Sequence, residues 1–154
     1  MPQSNGPYLS YAVICEKVLR EADEVLSLIR IIDRVTVTTT VAAPAGVVPS
    51  TVIPLAPPIA ITFVLGLKSG EYSGTVPVKI RIETPSGVTW PEYETLVTLE
   101  GGDRGVNVVL PIQFPAQDEG VYWFAVELLG ELVTRVPLRI IKQVVTQALP
   151  ASDS

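Results

Sequence analysis

The sequence predicts an all-β chain folded as an antiparallel sandwich. Three observations carry this. Apolar and polar residues alternate with period two in several segments. The segments recur at roughly ten-residue intervals and are rich in β-branched residues, too short for typical helices. Between them lie clusters of Gly, Pro, Asp and Ser, the residues of tight turns. The length of 154 residues suits one domain with a sizeable core, and a hydrophobic content of 47% argues against disorder.

The first element is the ambiguous one. In CEKVLREADEVLSLIRIIDRV (15–35), Ile14, Val18, Ala22, Val25 and Ile29 follow helical spacing, and Glu, Lys, Leu, Arg and Ala favour helix. On propensity alone a helix is slightly ahead. The flanks YLSYAVI and LSLIRIIDRVTVTTT alternate and are β-branched, and the polar centre READE has the length of a hairpin connection. A resemblance tips the balance. Cys15, Glu16, Val18 and Glu21, then Leu26, Ser27, Leu28, Ile29, Ile31 and Asp33, resemble the N-terminal signature of an uncharacterised bacterial family of small β-sandwich proteins. The closing GVYWFAVELLGELVTRVPLRI resembles the same family's last hairpin. The likeness spans roughly residues 8–34 and 110–141. The connection Ala22-Asp23-Glu24 departs from the pattern, where an Asn-Gly or Gly-Lys turn is expected, and the stretch 41–58 is long for it. The resemblance implies a hairpin of two strands over 15–35 and carries no activity.

The later elements follow in order. IAITFVLGL (59–67) reads as a strand and KSGEYSGT as a turn. VPVKIRIET (76–84) sets Val76, Val78, Ile80 and Ile82 on one face, with Lys79, Arg81 and Glu83 on the other. Pro85-Ser86-Gly87 is a turn. YETLVTLE (93–100) is a strand, and GGDRG (101–105) reads as a hairpin turn in which Asp103 stabilises the bend. A phosphate-binding loop there would need a helix to follow, and a strand follows. GVNVVLPIQF (105–114) places Val106, Val108, Leu110 and Ile112 in register, and PAQDEG (115–120) is a polar break. VYWFAVELL (121–129) and LVTRVPLRII (132–141) form a hairpin across Gly130-Glu131.

Tyr122 and Phe124 share one face of their strand and Trp123 takes the other. The run DEGVYWFAVEL looks like the penultimate strand of an immunoglobulin-like sandwich, where a Tyr hydroxyl ties back to the corner backbone; a plain core aromatic remains an equal reading of Tyr122. The predicted fold is therefore an immunoglobulin-like antiparallel β-sandwich of about seven to nine strands. The predicted domain covers 8–142, with flexible segments at 1–7 and 143–154.

Several function classes are disfavoured. A net charge of −5 with scattered Lys and Arg speaks against nucleic-acid binding. No charged residue occurs from Val35 to Leu67, but Pro44, Pro49, Pro54, Pro57 and Pro58 exclude a membrane-spanning helix there. The N-terminus lacks the pattern of a signal peptide, and the single cysteine, Cys15, allows no intrachain disulfide; both point to the cytoplasm. The chain has no histidine, which removes Ser-His-Asp and Cys-His catalysis and imidazole zinc sites. No cofactor is expected.

The remaining candidates are weighed individually. Cys15 is a lone nucleophile or, more simply, a buried small residue. Glu92 and Glu94, beside Trp90 and Pro91, are a carboxylate pair for glycoside hydrolysis or a solvated strand face. Asp103, Asp118 and Glu119 are calcium ligands of a membrane-docking sandwich or ordinary turn residues. The uncharged, proline-rich stretch 41–58 covers its own sheet edge, mediates self-association or binds a foreign partner; Val47, Val48, Val52, Ile53, Pro54 and Leu55 are its candidate contacts. The leading expectation is a non-enzymatic interaction or assembly module, with a phage-like or viral particle subunit as a variant.

Overall fold

In the opening stretch the β-branched flanks prevail over the helix-forming centre. The computed structural model describes residues 5–43 and 58–150. Within it, β1 (Tyr8–Arg20) and β2 (Leu26–Ile31) pair antiparallel, Cys15 opposite Ile31 and Val18 opposite Leu28. The connection is polar and self-bonded. The Glu21 N–H donates to the Val25 carbonyl at 2.8 Å, Ser27 Oγ donates to Glu21 Oε1 at 2.7 Å, and Glu24 takes a φ of 67°. The Asn-Gly turn is thus replaced by a five-residue loop that makes its own hydrogen bonds.

Five more strands follow: β3 (Arg34–Ala43), β4 (Ile59–Glu83), β5 (Tyr93–Phe114), β6 (Gly120–Leu128) and β7 (Glu131–Ala148), with no helix among the described residues. The hydrogen-bonded order is β2-β1-β4-β6-β7-β3, and β5 lies on β4. No helix among them is long and apolar enough to cross a membrane.

Two long strands build both layers of the sandwich. The first half of β4 pairs with β1 and its last residues pair with β6, while β5 accompanies it throughout. One layer is β2, β1, the first half of β4 and the second half of β5. The other is the remaining halves with β6, β7 and β3. The buried residues record the crossing. On β4 they are Ile61, Phe63, Leu65 and Leu67, then Val76, Val78, Ile80 and Ile82, so odd positions give way to even. On β5 they switch from Val97 and Leu99 to Val108, Ile112 and Phe114. A bulged bend lets each strand keep its apolar side inward as it turns from layer to layer.

The bend is where turns were expected. KSGEYSGT and GGDRG do not reverse the chain; they pair with each other inside β4 and β5, with Gly70 opposite Gly102 and the register slipping beside it. Gly70 is required twice over. Its φ is 59°, and a Cβ there would sit 2.6 Å from the Asn5 carbonyl oxygen. Glycine clusters look alike in sequence whether they end a strand or bend one.

The aromatic core closes the layers. Phe63 of β4 stacks on Phe124 of β6 at 5.9 Å, and Phe114 of β5 packs on Tyr122 at 5.3 Å and on Phe124 at 5.9 Å. The tyrosine corner is present. Tyr122 is fully buried, and its hydroxyl donates to the Asp118 carbonyl at 2.8 Å and accepts the Asp118 N–H at 3.1 Å. Trp123 faces outward beneath the Arg135 guanidinium, 4.6 Å away. The β6–β7 hairpin turns through Leu129 and Gly130, both with positive φ, as a two-residue connection of right-handed twist requires.

Two features differ from expectation. One pairing is parallel: β3 runs alongside β7 from Arg34 opposite Arg139 to Ala43 opposite Ala148. The chain passes from β2 to the other layer at Ile32 and Asp33 without a hairpin, so β3 is free to lie parallel to its new neighbour. β7 also continues past 142 to Ala148, because β3 supplies a backbone partner that a free tail would lack.

Candidate functional site

The chemical candidates lie on strands and on the connections between them, and most are engaged by neighbouring groups. Cys15 is fully buried on β1, with its Sγ 3.6 Å from the Lys17 carbonyl oxygen. Burial pushes its thiol up from the ordinary value, a shift the Lys17 carbonyl contact only partly offsets. A raised pKa keeps the sulfur protonated, the opposite of what a nucleophile needs.

Glu92 and Glu94 converge on one cation, each 3.8 Å from Lys79 Nζ. This is a solvated strand-face network of the kind that contributes little to stability. Glu92 also borders a recess of about 490 Å³ lined by Trp90, Pro91, Tyr93, Phe114 and Pro115. Trp90 is turned inward on the core side, with its ring 5.7 Å from Phe114 and 5.8 Å from Tyr122.

The three loop acids do not meet. Asp103 is exposed on the β5 bend, where Arg104 pairs with Glu100 at 2.8 Å. Asp118 Oδ2 accepts from Ser86 Oγ at 3.1 Å, and Glu119 Oε1 accepts the Lys142 N–H at 3.2 Å. Among the described residues, no three potential metal ligands gather. Val47, Val48, Val52, Ile53, Pro54 and Leu55 lie outside the described residues.

The outer face of the β4–β6–β7 layer is a charged ladder. Arg81 Nη2 pairs with Glu127 Oε1 at 2.8 Å, and Arg135 pairs with Glu83. Arg81 Nε is buried without a hydrogen-bond partner. The side chains of this face are largely matched to each other.

The least matched surface is elsewhere. β6 accompanies β7 only as far as Ile140. Beyond it, β3 and β7 continue as a two-stranded parallel ribbon. Residues 141–148 at about 3.3 Å each carry the ribbon about 26 Å past the last β6 pair. Val144 is 66% exposed and Val145 41%. Neighbouring strand residues point to opposite faces, so both faces of β7 are uncovered there, while on β3 Thr38, Thr40 and Ala42 are exposed and Thr39 and Val41 half-buried. There is no charge from Val35 to Ala43 or from Gln143 to Pro150. Among the described residues the outer edge of β3 has no strand beside it. The sequence signal for this surface was two uncharged runs: VTVTTT, read as a flank, continued by VAA, read as the start of the 41–58 loop and instead extending β3 to Ala43, and QVVTQA, read as a tail.

No family model and no curated protein matches the sequence. Among solved structures, the chain is similar to an immunoglobulin-like protein of Pseudomonas aeruginosa, at 15% identity and a TM-score of 0.39, over 85% of this chain and 97% of that one.

Proposed function

We propose that this chain is a non-enzymatic interaction and assembly module, and that its working surface is the β3–β7 ribbon. The observation that carries this reading is an open β3 edge, among the described residues, beside a β7 end exposed on both faces, with no charge on either run to solvate it. An isolated two-stranded ladder is marginal in water, and natural sheet edges normally carry Lys, Pro or a bulge. Residues 35–43 carry neither Lys nor Pro, and their register with β7 is unbroken. A surface of this composition is suited to being covered by another chain.

The same proposal places the chain in the cytoplasm and in the bacterial family whose signature lies on the β1–β2 hairpin. A subunit of a phage-like or viral particle is this reading extended to a larger assembly. The recess beside Trp90 and Glu92 favours a second reading, a carbohydrate ligand held against an aromatic side chain. Site-specific photo-crosslinkers distinguish the two. Placed at Val144 and Val145, they are expected to capture protein in host cells; placed at Gln113, on the recess wall, they are not. Capture from Gln113 alone would overturn the ribbon assignment.

A further inference from the structure

We infer that the ribbon's partner is a second copy of this chain, joined edge to edge through β3 in antiparallel register about a two-fold axis at Thr39. The inference rests on the interaction-module reading and names its partner.

The backbone sets the first condition. Arg139 donates its N–H to the Asp33 carbonyl at 2.9 Å, and the register from Arg34 to Ala43 is unbroken. In a parallel ladder this directs the backbone groups of Val35, Val37, Thr39 and Val41 toward β7. Those of Thr36, Thr38, Thr40 and Ala42 then point to the open edge. An antiparallel mate centred on Thr39 sets Thr38 opposite Thr40 of the second copy and Thr36 opposite Ala42. All four carry the outward N–H and C=O groups, so every narrow pair of the new ladder is formed by residues able to bond. A centre between two residues would oppose outward groups to inward ones.

The side chains set the second condition. A two-fold interface must be complementary to itself. Val37-Thr38-Thr39-Thr40-Val41 reads the same in both directions. Across the axis Val37 meets Val41, Thr38 meets Thr40, and Thr39 meets its own copy, all pairs that stabilise a sheet. No residue from 35 to 43 is charged, so none faces its own sign. The product is a β7-β3-β3-β7 sheet that removes the open edge from both molecules.

Sedimentation velocity over a wide concentration range tests this with the full chain. The wild type is expected to dimerise. Thr38→Pro removes an outward N–H without breaking a β3–β7 bond, and is expected to give a folded monomer by circular dichroism. T38K/T40K sets lysine opposite lysine and is expected to be monomeric. T38K/T40E sets lysine opposite glutamate and is expected to restore the dimer, which decides the register even if Thr38→Pro fails to fold. A wild type that stays monomeric, or a dimer that persists in T38K/T40K, would overturn the inference. A monomer whose crosslinker at Val144 still captures another protein would overturn self-pairing and leave the module reading intact. Absence of both dimer and capture would overturn both.

Discussion

The β4–β5 hairpin and the β3–β7 ribbon are both long two-stranded ladders, and they are held in place by different forces. Along the hairpin, alternate side chains enter the core: Phe63, Val76 and Ile80 are fully buried. Along the ribbon beyond Lys142, side chains on both faces of β7 are exposed. Both are extended backbone ladders, antiparallel in the hairpin and parallel in the ribbon. A net hydrogen bond contributes only about 1 kcal/mol, comparable to the entropy lost in fixing one residue. Apolar burial by an opposing layer is what raises a ladder from marginal to stable. The hairpin has that layer within its own chain, and the ribbon does not.

Breaking the well-covered region should have the largest effect. Phe124 touches the rings of Phe63 and Phe114 across the layers, both at 5.9 Å. Phe124→Ala is expected to cost about 3–5 kcal/mol, because the rigid β4 and β5 walls cannot collapse into the space. Urea denaturation measures it. A loss under about 1 kcal/mol would show that the layers do not depend on this contact, and the contrast with the ribbon would fail.

The corner tests the same region through one oxygen. Tyr122→Phe keeps the ring and removes both bonds to the Asp118 backbone. The expected cost near neutral pH is about 1–3 kcal/mol. The pH dependence has a definite sign. Burial first, with the Asp118 charge adding to it, raises the Tyr122 pKa above its ordinary 10.0, against the lowering effect of the Asp118 backbone bond. The stability tied to the protonated hydroxyl is fully present below pH 10.0 and is lost as pH rises through the higher folded value. Thermal melts of wild type and Tyr122→Phe should therefore converge on the alkaline side. Cys15, raised by burial from 9.0, adds an earlier decline that Cys15→Ala removes. A gap that widens with pH would contradict the buried corner.

Much of this well-covered region is legible in sequence, because period two survives wherever a strand has one wet face. Val76, Val78, Ile80 and Ile82 announce their side, and Tyr122 with Phe124 announces the corner. The bends at 69–74 and 101–105 are not legible as bends. Glycine marks positive φ but does not say whether the chain reverses or merely changes layer. The parallel β3–β7 pairing is harder still. It joins residues about a hundred positions apart; Val35, Val37, Thr39 and Val41 share a half-buried face of β3, but QVVTQA is exposed throughout and shows no one-sided pattern to match it. The candidate site was hidden for the same reason. Chemistry-bearing residues such as Cys15, Glu92 and Asp118 stand out by type, whereas the ribbon is conspicuous only once its surroundings are known.

The smallest stability effect is expected where the ladder is bare. In the monomeric Thr38→Pro background, Val144→Thr and Val145→Thr together should change global stability by no more than about 0.5 kcal/mol, since both side chains stay exposed in the folded chain. The same substitutions in β6 at Val126, which is fully buried, would cost far more. Hydrogen exchange sharpens the point. Amides of residues 143–148 should open locally, at a small fraction of the free energy that protects Phe124, because the ribbon can separate without exposing the core. In the wild-type dimer, the outward amides of Thr36, Thr38 and Thr40 should slow as concentration rises. If the ribbon amides of the monomer exchanged only by global unfolding, the ribbon would be an integral part of the core structure, and the distinction between a self-covered hairpin and an uncovered ladder would disappear.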